Sequence, residues 1–253
     1  MRAFAIALAA LLVMGPALTH AQSHLTNHWA HYSTGTISKV AFSRDGRYRI
    51  VGGYGAIRVE NAKTGIELRV LPTIADNVTS LAISPDGSTV ADCGTIFNGP
   101  SVVELWNITS GRCIDCKLPI AAVNAIAYSP TGKTIVIGGA GLLQMWTVSP
   151  TFGILRSLVT SASSISSLTY SPSGATIAVG GTANSGGTLE VFDSVSAKRL
   201  YRLPTVASQS VTSVVYSPDG KFLVDSAVGE YLPYHGIATY TTTLESWNTV
   251  TGK

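Results

Sequence analysis

Charge is what this chain has least of. Asp, Glu, Lys and Arg make up 12% of its 253 residues, hydrophobic residues 45%, and the net charge is +3. Proteins that grip nucleic acid show a basic stripe with interleaved aromatics. No such stripe is present, so nucleic acid is not an expected partner. Acids are equally sparse, and no close carboxylate pair stands out. Cysteine is limited to Cys93, Cys113 and Cys116, an odd number that cannot pair off completely. A Gly-x-Ser-x-Gly elbow and a Gly-rich phosphate loop opening a helix are both missing, which removes two common catalytic signatures. One long apolar run exists, Ala3 to Val13, and it is shorter than the ~20 residues a helix needs to cross a bilayer.

That run has the features of an export signal. Arg2 supplies a positive start, Gly15-Pro16 breaks the apolar stretch, and Thr19-His20-Ala21 is a small-residue cleavage site before Gln22. Residues 1–21 are therefore expected to be a signal peptide, and the mature chain to be periplasmic or secreted with no membrane span left. No Cys follows the site, which speaks against a lipid anchor. Residues 22–35 are expected to be an N-terminal arm or a closing outer strand. On a helix His24, His28 and His31 would share one face and suit a transition metal. On the strand preferred here, His31 opposes the other two.

What the chain does have is a repeat. Ser217-Pro218-Asp219-Gly220 recurs as Ser84-Pro85-Asp86-Gly87, with altered copies at Ser43-Arg44-Asp45-Gly46, Ser129-Pro130-Thr131-Gly132 and Ser171-Pro172-Ser173-Gly174. The final glycines fall 41, 45, 42 and 46 residues apart. Each copy is a tight turn between two strands, with Pro presetting φ and Gly free to take φ > 0. In the third unit, Val123 to Ser129, Thr134 to Gly138, Leu142 to Trp146 and Ile154 to Val159 read as four short strands. Four strands per unit of this length is the pattern of a β-propeller blade. The expected fold is all-β, with blades at about 36–72, 73–119, 120–160, 161–204 and 205–253. Charge gathers in the fourth strands, at Glu67, Arg69, Arg112, Lys117, Arg156, Lys198, Arg199 and Arg202, as outer edges require.

The run Ser-Pro-Asp-Gly, a β-branched strand, Gly-Gly and an apolar strand ending in Trp or Phe resembles WD40 repeats. Leu105-Trp106-Asn107, Met145-Trp146, Val191-Phe192-Asp193 and Ser246-Trp247-Asn248 carry the resemblance. It implies that the first strand of each blade lines the axis and the fourth is outermost. It also implies a binding surface on the face that bears the turns between second and third strands. The chain departs from the pattern in the Gly-His before the first strand and the Asp of the later turn. The buried hydrogen-bond network of such blades is therefore expected to be largely missing. Two closures fit: Leu25 to Tyr32 supplies the outer strand that blade 5 lacks, or the chain continues past Lys253 into a larger, seven-bladed ring.

A functional site should be something one blade has and the others lack. Glu104, Gln144, Glu190 and Glu245 recur two residues before the aromatic and are expected to hold neighbouring backbone. Three turns between second and third strands look enlarged: Thr95 to Ser101, Thr182 to Gly187, and Gly229 to Thr241. They nominate Phe97, Asn98, Asn184, Glu230, Tyr231, Tyr234 and His235 as contacts for a protein partner or small ligand, since tyrosine offers area with a polar tip. Cys113-Ile114-Asp115-Cys116 has redox spacing. In a strand its cysteines are expected on opposite faces. No cofactor, metal or catalytic residue is assigned, and the function expected is a non-catalytic interaction scaffold. The alternative is a propeller hydrolase or lactonase with metal near the axis. Asp92 and Asp225, read at matching second-strand positions in place of Gly, could be its ligands, though a polar residue near a strand end is the commoner explanation.

Overall fold

The computed structural model describes residues 36–117, 121–149, 151–234 and 237–249. The proposed signal peptide, the three N-terminal histidines, the candidate closing strand Leu25 to Tyr32 and His235 lie outside them. The described residues form strands and no helix. Blade 1 holds β1 (Ile37–Phe42), β2 (Tyr48–Gly53), β3 (Ile57–Asn61) and β4 (Glu67–Leu71). Blade 2 holds β5 (Asn77–Ile83), β6 (Thr89–Thr95), β7 (Ser101–Asn107) and β8 (Cys113–Lys117). Blade 3 holds β9 (Val123–Tyr128), β10 (Thr134–Gly139), β11 (Leu142–Thr147) and β12 (Gly153–Ser157). Blade 4 holds β13 (Ser164–Tyr170), β14 (Thr176–Ala183), β15 (Gly186–Asp193) and β16 (Arg199–Leu203). Blade 5 holds β17 (Ser210–Tyr216), β18 (Phe222–Tyr234) and β19 (Ile237–Asn248). Each sheet is antiparallel in chain order; the fifth has three strands among the described residues.

The repeated turn builds this register. The Ser hydroxyl oxygen accepts a hydrogen bond from the amide five residues on: Tyr48, Thr89, Thr134, Thr176 and Phe222. Where Asp follows, its carboxylate accepts from that hydroxyl, as Asp86 does from Ser84 at 2.6 Å. The turn glycines all sit near φ +70°, a region that costs an L-residue about 1–2 kcal/mol. Five equal turns start five second strands in phase.

First strands pack on one another in series, β1 on β5, β5 on β9, β9 on β13 and β13 on β17. This places them innermost, as the resemblance implies. Four apolar clusters lie between successive blades. Close approach requires glycine at the interface. A Cβ on Gly180 would stand 2.6 Å from Val211 and 2.8 Å from Val214 of the next blade.

Each first strand is also bulged near its start, and polar residues at the bulge bridge to the next blade. Ser38 donates to the Val78 carbonyl at 2.5 Å, Thr79 to Val123 at 3.1 Å and Asn124 to Ile165 at 3.2 Å. A sheet bulge leaves one residue unpaired and re-aims its side chain. Here that residue fastens one blade to the next.

The register corrects three readings. Asp92 and Asp225 pair with Glu104 and Glu245, level with Ile137 and Val179 of blades 3 and 4. They replace apolar residues one position before the glycines, not the glycines themselves. The segment Gly229 to Thr241 is no open loop. It continues the β18–β19 hairpin, with Tyr231 opposite Tyr240 and Tyr234 opposite Ile237, after a bulge beyond Val228. Nor do Cys113 and Cys116 oppose each other. Cys113 pairs with Trp106 and Cys116 with Glu104, with Ile114 bulged out between them. Trp106 and Glu104 are two apart on a regular strand and share a face, so their partners do too.

Candidate functional site

The blades have two ends. At one lie the Ser-Pro-x-Gly turns; at the other lie the links between blades and the turns between second and third strands. The nominated residues belong to the link end. Phe97 and Asn98 occupy the β6–β7 turn. Phe97 is 77% exposed while its amide donates to Asp76 of the preceding link at 2.5 Å. Asn98 takes φ +54°, the left-handed conformation that asparagine tolerates. Asn184 is exposed in the two-residue turn between β14 and β15; Thr182 to Gly187 is therefore no enlarged turn but a continued hairpin, with Thr182 opposite Gly187 and Ala183 opposite Gly186. Glu230, Tyr231 and Tyr234 fall in the distal part of β18. The topology brings all of these to one end of the blades.

The acids perform another task. Indole Nε1 of Trp106 donates to Asp92 at 3.0 Å, and Trp247 donates to Asp225 at 2.7 Å. Glu104 accepts from the Thr73 hydroxyl and, at 3.2 Å, from the Ile74 amide. Glu190 does the same with Thr160 and Ser161, and Glu245 with Thr205 and Val206. Glu104, Glu190 and Glu245 thus each capture the Thr-x-Ala link that enters their own blade. This is the expected backbone role, with a hydroxyl added. Blade 3 has no such Thr, and Gln144 accepts from Trp146 at 3.0 Å instead. A buried hydrogen-bond network is therefore present where one was expected to be largely missing, and it is built from other residues than the Gly-His and turn Asp of WD40 blades. Asp92 and Asp225 supply the acceptor from the second strand, not from the turn.

Electrostatics follow from this placement. Asp92 is fully buried, and burial with Glu104 beside it pushes its carboxyl well above the usual range. Burial also raises Glu104, against its bonds to Thr73 and Ile74. Burial acts to raise Glu190 too, but Thr160, Arg199 and Ser161 outweigh it and hold the group low. Asp225 is pushed up to about 6, chiefly by burial. Among the described residues no three His, Cys, Asp or Glu side chains are grouped to hold a metal.

The Ser-turn end carries a feature that the sequence did not announce. First strands and turns of blades 2 to 5 surround a cavity of about 360 Å³. Its lining includes Ile83, Tyr128, Tyr170 and Tyr216 with Pro85, Pro130, Pro172 and Pro218, and every lining residue is uncharged. The three phenol oxygens are each in hydrogen-bond contact with a Thr of the preceding blade: Thr89 at 2.9 Å, Thr134 at 3.2 Å and Thr176 at 3.0 Å. Burial raises all three phenols, Tyr216 to about 12, so none titrates near neutral pH. The signal was available in the aromatic before Ser-Pro in blades 3, 4 and 5.

Comparison with known proteins agrees with this architecture. Residues 154–230 match the family model of eukaryotic translation initiation factor eIF2A. Over 103 residues the chain is 23% identical to the uncharacterized WD repeat-containing protein sll1491 of Synechocystis sp., covering 40% of this chain and 29% of that protein. The chain thus spans under a third of that relative. Among solved structures, Kuenenia stuttgartiensis hydrazine synthase superposes with a TM-score of 0.73 at 18% identity, over 87% of this chain and 67% of the other. The β-propeller domain of Myceliophteria thermophila Cps50 (Swd1) gives 0.67 at 17% identity, over 87% and 75%. Fold and repeat together define a WD40-like β-propeller.

Proposed function

We propose that this chain is a non-catalytic interaction module, exported from the cytoplasm to the periplasm or the medium, that captures a protein partner or small ligand at the link end of its blades. The observation that carries the reading is the use of its acids, four of them buried and Glu245 half-buried. Asp92, Asp225, Glu104, Glu190 and Glu245 each hold an indole, a hydroxyl or a link amide. The hydrolase alternative offered Asp92 and Asp225 as candidate metal ligands, and one carboxylate oxygen of each accepts from a tryptophan. The non-repeating elements lie at the link end: the extended β18–β19 hairpin, the longer turn bearing Phe97 and Asn98, and the lengthened β14–β15 hairpin with Asn184 at its tip. Loops and hairpin tips change without cost to the blade core. Export rests on Arg2, the apolar run from Ala3 and the small-residue site at Ala21.

The test is capture from the native envelope fraction. Replacing Tyr231, Tyr234 and His235 together with Ala should abolish capture of the partner that wild type retains, and leave the thermal midpoint within a few degrees. Capture that survives the triple replacement would overturn the assignment of this end.

A further inference from the structure

Cys113 and Cys116 lie on β8, the outermost strand of blade 2, and both are exposed. In a regular strand, residues three apart diverge. The bulge at Ile114 changes that, because it removes one residue from the count. The same bulge recurs in the fourth strands of blades 1, 3 and 4. Those blades show where the side chains lead. Arg199, at the position of Cys113, reaches Glu190, and Glu67 pairs with Arg58 at 3.4 Å; Glu190 and Arg58 stand where blade 2 has Glu104. Cys113 itself turns along its own strand. Its Sγ lies 3.2 Å from the Asp115 carbonyl oxygen, which belongs to the peptide that joins Asp115 to Cys116. The first thiol therefore sits beside the residue that bears the second. Cys93 takes no part, being buried on β6 with its sulfur 3.4 Å from the Thr79 hydroxyl.

We infer that Cys113 and Cys116 are a disulfide-forming pair, which a disulfide oxidant converts to an intrachain bond across the β8 bulge. The chemistry balances with a small-molecule disulfide such as oxidised glutathione. One cysteine thiolate attacks a glutathione sulfur, forms a mixed disulfide and releases one glutathione thiolate. The second cysteine thiolate attacks the protein-side sulfur, closes the Cys113–Cys116 bond and releases the other. The two protons lost by the cysteines end on the two glutathiones, and the two cysteine sulfurs are oxidised as the glutathione disulfide is reduced. This site is unlike a redox catalyst, whose thiol is held low by a helix start or a nearby cation. Here burial and the neighbouring acids Glu104, Asp92 and Asp115 raise both thiols, Cys113 to about 11. The pair receives a disulfide slowly and has no means of passing one on quickly. The inference stands on strand geometry and does not depend on the binding role.

The experiment treats the full chain, first reduced, with excess oxidised glutathione, then alkylates before and after denaturation and maps peptides by mass spectrometry. The expected product is about 2 Da lighter than the dithiol, with a Cys113–Cys116 linkage and with Cys93 alkylated only after denaturation. The Cys113→Ser variant should instead hold glutathione on Cys116 as a stable mixed disulfide. Wild type that keeps two alkylatable thiols at positions 113 and 116, or that carries glutathione on them without closing the bond, would overturn the inference. A linkage to Cys93 or between two chains would do the same.

Discussion

Asp225 shows how much one buried group can decide. It is 1% exposed, its Oδ1 accepts from Trp247, and its Oδ2 finds no hydrogen-bond partner among the described residues. Burial is the main cause of its raised carboxyl; the Trp247 bond opposes that effect and Glu245 adds to it. A carboxyl raised in the folded state binds its proton more tightly there than in the unfolded chain. Its contribution is full below the unfolded value near 4 and is lost as pH rises to about 6. The loss amounts to at most roughly 3 kcal/mol. Asp225→Asn keeps an acceptor for Trp247 and removes the titration. Urea unfolding should show wild type gaining on the variant as pH falls from 7.5 to 4.5, and the variant ahead at 7.5. Equal pH profiles would remove this role from Asp225. Arg49 and Glu60 show a different residue-level solution. They face each other in blade 1 where the other blades pair an aliphatic with Trp or Phe, and Arg49 Nε donates to Glu60 at 2.7 Å.

At the scale of the element, the instructive unit is a blade with its incoming link. A Thr-x-Ala link lies at Thr73, Thr160 and Thr205, and a third-strand Glu closes on each. Removing Glu190 leaves the Thr160 hydroxyl, the Ser161 amide and Arg199 without their acceptor. Glu190→Ala should therefore cost about 2–4 kcal/mol. Gln144→Ala should cost about 1 kcal/mol, because blade 3 has no Thr link to release. Denaturant midpoints of the two variants would check the ordering, and a larger loss for Gln144 would refute it. The Thr and Glu residues were each visible in the sequence. Their partnership was not, because 30 to 40 residues separate them and only the folded blade brings them together. The Ser turn is the opposite case. Its bonds span at most five residues, so its spacing alone predicts its geometry.

For the propeller as a whole, packing is serial. Each interior blade is covered on both faces, and the described residues hold four inter-blade clusters. β1 exposes Ile37, Val40 and Phe42, at 48%, 52% and 62%. The corresponding Val123, Ile126 and Tyr128 of β9 are at most 9% exposed. Local opening is easiest where few apolar contacts must break. Amide exchange should be slowest in β9 and β13 and at least about tenfold faster in β1. Uniform protection of the three strands would show that β1 is covered in solution. The candidate site follows the same division. The link end was legible because its turns differ in length between blades. The neutral cavity at the Ser-turn end was not, since it arises only where four first strands converge.

The sequence by itself determined the repeat, the strand order within a blade and the WD40-like class. These depend on turn residues and apolar alternation within a few positions of one another. Tertiary structure decided how the polar residues are used. It set Asp92 and Asp225 against tryptophans, closed Glu104, Glu190 and Glu245 on distant links, and bulged the fourth strand so that Cys113 and Cys116 share a face. The reason is one of range. Turn chemistry acts along the chain, whereas a bulge shifts register by one residue and reverses which side chains meet. That shift follows from the pairing of strands and leaves no mark on a single strand's pattern.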